Sequence, residues 1–436
     1  MVMEERHFKI LSILREKDFV EVNELADTLK VSVETVRRDL NALETLGQLK
    51  RVRGGAAAVS GSLAASVPAP TVKSDAPNFT EYAWYSPTRE PFKLCGFPFF
   101  ETDGIYRRYP LNPPTPLPPN VERLAWCPSG GQIRFSAEIS KLAIRVKLSR
   151  QVAVGYNTTP LANAGFDVYF SDGDGKYTLF DVARFDCKPD SHTDSYERYF
   201  EKLPKKKKLD VLINFPIGIG VERVFVGMDQ DSVPMAPPPF ESDKRILIYG
   251  GSIMHGYCTS RPGMTCPNIL SRWLNREVVN LGVNGSAKCE REAALSVRMV
   301  KNVEWFIISP EGNCPTVEWL REHMTEFLTL YREANPDTKI AVLSYMREGR
   351  ERFDTVYREE RLAKKQCEIE IVNKFREAGD DKIFFWDGEE FSLGDEDIYF
   401  NDWSVGDENT VDGQHKSDIG FWMMASGIYR RMKGTK

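Results

Sequence analysis

Histidine is scarce in this chain: five residues in 436. Chemistry that needs an imidazole therefore has few places to occur. The eight cysteines form no CxxC pair and no Cys/His spacing typical of zinc. No metal site and no cofactor are expected, and the thiols read as the reduced thiols of a cytoplasmic protein. No run of about 18 apolar residues occurs, so no membrane-spanning helix is expected. Met1 to Arg6 leads into a charged amphipathic helix rather than a secretory signal. Strong charge is missing too. A net charge of −5 excludes a chain-wide polyanion binder, so any nucleic-acid contact must be local. With 42% apolar residues the chain can build sizeable cores, and its length predicts two or three domains.

Four stretches are predicted. Residues 1–57 hold three short helices and a basic hairpin. Ile10, Leu11, Ile13 and Leu14 mark the first helix. Val22 to Leu29 is the second, with Asn23 as its N-cap, and Val33 to Leu46 the third, capped by Ser32 and ended by Gly47. Residues 58–79 are rich in Ala, Ser, Pro and Val and read as a flexible linker. Residues 80–236 alternate apolar and polar side chains in short runs, as in Gln132 to Ser136, Leu142 to Val146, Phe166 to Phe170 and Leu209 to Ile213. That pattern predicts a β-sandwich, with Lys205 to Lys208 a solvated turn. Residues 237–436 alternate strands (245–249, 278–281, 305–309, 339–344, 382–386) with helices (266–274, 293–300, 316–333, 354–378). The expectation is a parallel sheet covered by helices on both faces. Its chemistry belongs at the carboxyl ends of the strands.

Three strand ends carry suitable groups. Tyr249-Gly250-Gly251-Ser252-Ile253 follows the first strand, Asn280-Leu281-Gly282-Val283-Asn284-Gly285 the second, and Ser309-Pro310-Glu311-Gly312-Asn313 the third. Near the C-terminus, Asp412-Gly413-Gln414-His415 puts a carboxylate three residues before an imidazole. A hydrolytic serine needs both: a base to take its proton and an acid to orient that base. Taken in order, these blocks resemble the SGNH (GDSL-type) hydrolase superfamily. Gly165-Phe166-Asp167-Val168-Tyr169 resembles the Gly-x-Asp-Leu-Tyr motif of one bacterial branch that carries an N-terminal sandwich. The resemblance implies a flavodoxin-like three-layer domain with Ser252 as nucleophile, His415 as base and Asp412 as its orienting acid. It also implies an oxyanion hole from the Ser252 N–H, the Gly285 N–H and the Asn313 amide. The departures are Gly251 where many relatives have Asp, Met254 where Thr is commoner, and Lys416 where Pro is usual. Asn313 also stands in Glu-Gly-Asn-Cys rather than Gly-x-Asn-Asp.

His255 reads equally as a pocket residue or a packed polar one. His7, His192 and His323 read as surface residues, Asp167 and Tyr169 as sandwich residues, and Cys258 as a buried bystander.

Leu25 to Glu44 reads as helix, tight turn, helix. Glu34, Thr35, Arg37 and Arg38 avoid the apolar stripe of Val36, Leu40 and Leu43, where a recognition helix carries its base and phosphate contacts. Lys50, Arg51 and Arg53 form a basic wing. Val-Arg-Arg-Asp-Leu, Leu-Gly-Gln-Leu and Arg-Val-Arg-Gly-Gly-Ala resemble the DeoR-type winged helix-turn-helix, with Arg53 where His is common. The resemblance implies double-stranded DNA as partner of residues 1–57, contacted through Ser32, Glu34, Thr35, Arg37, Arg38, Lys50, Arg51 and Arg53. A homodimer is expected for a head that reads two half-sites. The resulting expectation is a serine esterase for short acyl esters, on carbohydrates by analogy of fold, with a DNA-binding head. The alternatives are a regulator whose SGNH-like module senses a ligand, and an O-acyltransferase.

Overall fold

The computed structural model describes residues 6–7, 9–10, 13–14, 19–45, 49–52, 54–57, 82–152, 157–186, 193–200, 203, 205–392, 399–400, 403–404 and 408–434. The linker 58–79, Gly47, Arg53, Cys187 and His192 lie outside them. The chain divides into two compact units, Met1–Pro77 and Asn78–Lys436.

In the first unit, β1 (Phe19–Glu21), β2 (Lys50–Val52) and β3 (Gly55–Ala57) form an antiparallel sheet in the order β1-β3-β2. The predicted wing is the β2–β3 hairpin, with Arg51 opposite Ala56. The helix Val33–Thr45 buries Val36, Leu40 and Leu43 at i, i+4 and i+7, against Ile10, Leu14, Leu25, Leu29 and Leu49. Ser32 caps it, accepting the Thr35 N–H at 3.2 Å. Asn23 is not a cap. Its helix begins one residue earlier, at Val22, because the chain leaves β1 directly, and Glu21 holds the cap position without a side-chain bond. His7 is not an ordinary surface residue either. It and Arg6 both bond Asp39, at 3.1 and 2.7 Å, which ties the first helix to the third.

The second unit holds two architectures. An antiparallel sandwich pairs a five-stranded sheet with a four-stranded one. The five-stranded sheet runs β5 (Lys93–Cys95), β6 (Gln132–Ile139), β11 (Lys207–Asn214), β8 (Phe166–Ser171), β9 (Thr178–Ala183). The other runs β10 (Ser195–Phe200), β7 (Leu142–Leu148), β12 (Val221–Asp229), β4 (Tyr82–Tyr85). Inward residues such as Ile133, Phe135, Val168, Val211 and Ile213 fill the space between them.

A parallel sheet follows, in the order β14 (Val278–Asn280), β13 (Arg245–Gly250), β15 (Val303–Ser309), β16 (Lys339–Leu343), β17 (Ile383–Trp386). Alternate residues face opposite cores. Leu247, Phe306 and Val342 pack with the helix Val317–Ala334, while Ile246, Ile248 and Ile307 pack against Cys266–Leu274 and Asp418–Lys433. The strand order reverses between β14 and β15 around β13, so the end of β13 lies at the switch point of the sheet.

One segment read as sandwich packs elsewhere. Tyr109, Leu117, Val121, Leu124 and Cys127 belong to the core under the parallel sheet. The cause is Arg108. Its fully buried guanidinium donates to the carbonyls of Leu124, Cys127, Asn280 and Gly282 at 3.0, 2.5, 2.9 and 2.7 Å. The stretch is thereby fastened under the loop that leaves β14.

Candidate active site

β13 ends at Gly250, and Ser252 opens the short helix Ser252–His255. The loop after β14 lies alongside, with the Leu281 N–H on Ile248 O and the Val283 N–H on Gly250 O, both at 2.8 Å. This loop reaches Gly285, whose φ of +66° suits glycine. The loop after β15 brings Asn313 to the same place. Its Nδ2 stands 2.0 Å from where a Cβ on residue 251 would be, and the Tyr345 hydroxyl oxygen 3.4 Å. Only a glycine at 251 leaves that room. Asn313 Nδ2 is buried and has no hydrogen-bond partner among the described residues. An unpaired buried donor costs about 1–3 kcal/mol, so its position calls for an explanation.

His255 is packed rather than pocket-lining. It is fully buried, its Nε2 bonds Ile217 O at 2.8 Å, and its Nδ1 accepts the Asn284 N–H at 3.3 Å. Burial holds its pKa well below the usual imidazole range, helped by the charge of Arg108. The ring is thus a neutral peg joining the sandwich, the helix Ser252–His255 and the loop after β14.

The sandwich braces the same region at further points. Asp167 is more than a sandwich residue: its Oδ2 accepts the Gly263 N–H at 2.6 Å and an Arg261 N–H at 2.9 Å. Arg261 also donates to the Tyr169 hydroxyl oxygen. Ser129 Oγ donates to His255 O at 2.6 Å. Asp167 and Tyr169 therefore hold the loop that follows the nucleophile helix.

Asp412 and His415 meet as the sequence suggests. His415 Nδ1 lies 2.8 Å from Asp412 Oδ2, and the His415 and Gln414 N–H groups donate to Asp412 Oδ1 at 2.8 and 3.2 Å. The Val411 N–H closes the turn on His415 O at 2.8 Å. Burial alone would raise the Asp412 pKa. The bonds from the His415 N–H and ring reverse this and bring it down to about 2. Cys258 is buried beside this pair, its Sγ within 4.8 Å of ligand atoms of Asp412 and His415. Burial and the Asp412 charge push this thiol up to about 12.

Beside this turn opens a cleft of about 610 Å³, lined by Asn157 to Pro160 of the sandwich, Cys258, Ser260, Val411, and Ser417 to Ile419. Among the described residues no lysine or arginine lines it. Its one carboxylate, Asp418, accepts from the Ser260 N–H at 2.9 Å and from Thr259 Oγ1 at 3.2 Å.

Three buried groups were not foreseen. Glu311, two residues before Asn313, accepts the Tyr345 N–H at 2.7 Å, and its pKa is pushed up to about 7 by burial. Burial and the neighbouring Glu311 also raise the Glu368 pKa well above the usual carboxylate range. Lys416, next to His415, is fully buried with Nζ 3.2 Å from Asn409 Oδ1, and burial lowers its pKa to about 8. Glu311 and Glu368 come from different blocks, and nothing local in the sequence pairs them.

In the first unit Glu34, Arg37, Arg38 and Lys50 are exposed. Thr35 shares a hydroxyl bond with Ser32 at 2.8 Å. Arg51 is engaged, its guanidinium on Asn41 and its N–H on Glu44 at 2.8 Å, which fastens the wing to the third helix.

Comparison with known families agrees with this geometry. Residues 243–433 match the GDSL-like Lipase/Acylhydrolase family, residues 82–233 the N-terminus of the SGNH-hydrolase-type esterases, and residues 6–61 the DeoR-like helix-turn-helix domain. The C-terminal domain is a GDSL/SGNH-type hydrolase domain. Among solved structures, a protein of Bacteroides ovatus described as a GDSL-like lipase superposes with a TM-score of 0.70 at 23% identity, covering 81% of this chain and 99% of its own. The salicylyl-acyltransferase SsfX3 of a tetracycline biosynthetic pathway gives 0.60 at 14% identity, covering 81% and 97%. At those identities the likeness is one of fold. The Bacillus subtilis HTH-type transcriptional regulator FruR is 45% identical over 60 residues, which is 14% of this chain and 24% of FruR. The chain spans about a quarter of the length of the curated relatives it matches. The hydrolase domain and its sandwich thus have counterparts separate from those of the winged head. Among the described residues no helix is long and apolar enough to cross a membrane.

Proposed function

We propose that the chain is a serine esterase for short acyl esters of neutral, polyhydroxylated alcohols, attached to a DNA-binding regulatory head. In this reading Ser252 Oγ attacks the acyl carbonyl carbon and His415 takes the hydroxyl proton. Asp412 holds the imidazole in the required tautomer. The carbonyl oxygen becomes an oxyanion facing the Ser252 N–H, the Gly285 N–H and the Asn313 amide. Collapse of the adduct expels the alcohol, which takes the proton from His415 and leaves an acyl-enzyme. Water repeats the cycle and releases the acid.

The observation that carries the proposal is the Asn313 amide, a buried donor with no partner beside the Gly251-Ser252 turn. The cleft supports the alcohol class. The described residues that line it include no cation, which disfavours a phosphorylated alcohol.

The test is turnover of p-nitrophenyl acetate by the whole protein and by Ser252→Ala. Loss of about 10⁴-fold or more in kcat is expected. Equal turnover by the two proteins, or no acyl adduct on the wild type, sinks the reading. Adding a sugar alcohol and measuring acyl transfer against release of free acid separates esterase from O-acyltransferase.

The head is proposed to bind double-stranded DNA, as a homodimer over two half-sites, which places the protein in the cytoplasm. Seven free cysteines among the described residues fit that compartment. Arg37→Ala/Arg38→Ala is expected to weaken binding to the region upstream of its own gene. It should also reduce the slope of log affinity against log salt by about 2. An unchanged slope would show that these arginines touch no phosphate.

A further inference from the structure

Among the described residues, one group of three metal-ligating side chains stands together: Cys258, Asp412 and His415, with ligand atoms all within 4.8 Å of one another. Two of them are the proposed orienting acid and base. The third has no part in that chemistry, and its backbone is unusual. Cys258 has φ of +72°, a left-handed conformation that a side-chain-bearing residue adopts at a cost. Such outliers persist where the surroundings over-determine them. Here the conformation sets the thiol on the wall of the cleft and beside the Asp412–His415 pair.

Around one zinc ion, with bonds of about 2.0–2.3 Å, ligand atoms stand about 3.3–3.6 Å apart. The spacing in this cluster is close enough for side-chain rotation to reach that geometry. One sulfur, one nitrogen and one oxygen, with an open side toward a cleft, is a donor set that suits a borderline-soft cation and leaves a fourth position for water. Calcium and magnesium prefer oxygen ligands only.

We propose that Cys258 Sγ, the Asp412 carboxylate and a ring nitrogen of His415 form an inhibitory site for a divalent cation of the zinc class. The ion takes lone pairs that Asp412 and His415 use for each other and for the serine proton. Occupancy and turnover therefore exclude one another. The inhibition rests on the triad reading above; the binding does not.

The experiment uses the tag-free full chain. Cobalt(II) is added as a spectroscopic stand-in, and zinc chloride is titrated into the p-nitrophenyl acetate assay. A thiolate-to-cobalt charge-transfer band is expected in the wild type, absent from Cys258→Ala and from His415→Gln. Zinc should inhibit the wild type, and EDTA should restore it. Cys258→Ala, measured against its own metal-free rate, should need at least about tenfold more zinc. No cobalt band in the wild type, an undiminished band in Cys258→Ala, or equal zinc sensitivity of the two proteins overturns the proposal. Circular dichroism of each variant guards against misfolding. A Cys258-dependent band on a wild type that turns over no ester would uphold the metal site and reject the esterase reading.

Discussion

The two sides of the proposed site are held in opposite ways. The Ser252 side is braced from far along the chain. His255 reaches Ile217, Arg108 reaches Asn280 and Gly282, and Asp167 reaches Gly263. Those bonds span the sandwich and three loops, and the groups that make them are buried. The His415 side is a turn of five residues, Val411 to His415, which contains its acid, its base and the backbone bonds that close it. Its acid and base side chains keep 24% and 17% of their surface open. A nucleophile and its oxyanion donors must keep fixed positions relative to one another, and distant buried contacts supply that rigidity. A base that takes and returns a proton needs a fixed tautomer, and one neighbouring carboxylate suffices.

Three substitutions sharpen the contrast, from the largest effect to the smallest. Arg108→Met leaves carbonyls on both sides of the sandwich seam without their donor. It should destabilise the second unit by about 3–5 kcal/mol, read as a lower midpoint of thermal unfolding. An unchanged midpoint would mean that the long-range brace carries no stability. Asn313→Ala should leave the fold alone and lower kcat by about 10²–10³, with little change in KM. A change confined to KM would move Asn313 from the transition state to ground-state binding.

Lys416→Met tests the local side through pH. The Lys416 pKa falls from its usual value near 10.4 to about 8 on folding. Between those values the unfolded chain binds more protons than the folded one, so stability rises with pH across the window. Below about pH 8 the full penalty applies. The contribution is about 1.4 kcal/mol per pH unit inside the window. The variant should lose that slope, giving a wild-type-minus-variant stability difference that changes between pH 8 and 10. A difference flat with pH would refute a burial-depressed lysine.

What could be read from the amino-acid order follows the same division. The pairing of Asp412 with His415 was visible because three residues in a turn bring the groups together whatever the rest of the fold does. The parallel strands were visible too, because β13, β15 and β16 are buried on both faces and appear as unbroken apolar runs. β12 was missed: Glu222, Arg223 and Gly227 interrupt its alternation, and a register shift falls at its start. β9 and β10, at sheet edges, were missed because half-exposed strands need few apolar residues. Arg107 and Arg108 are both buried, because their donors meet carbonyls and a carboxylate supplied by other segments. Long-range polar satisfaction leaves no periodic trace in one sequence. Hence Tyr109 to Cys127 pack in the core under the parallel sheet although they lie within the stretch read as sandwich.

The space above Gly251 has a further consequence. The amide of Asn313 and any side chain at 251 compete for one volume about the size of a methyl group. The two positions are therefore a single unit of variation. A library that randomises residue 251 alone would sample mostly displaced Asn313 conformers and score them as loss of the serine. One that varies 251, 313 and Tyr345 together would explore different ways of arming the same strand end. The unit of redesign in this active site is a shared void, to which no single residue has title.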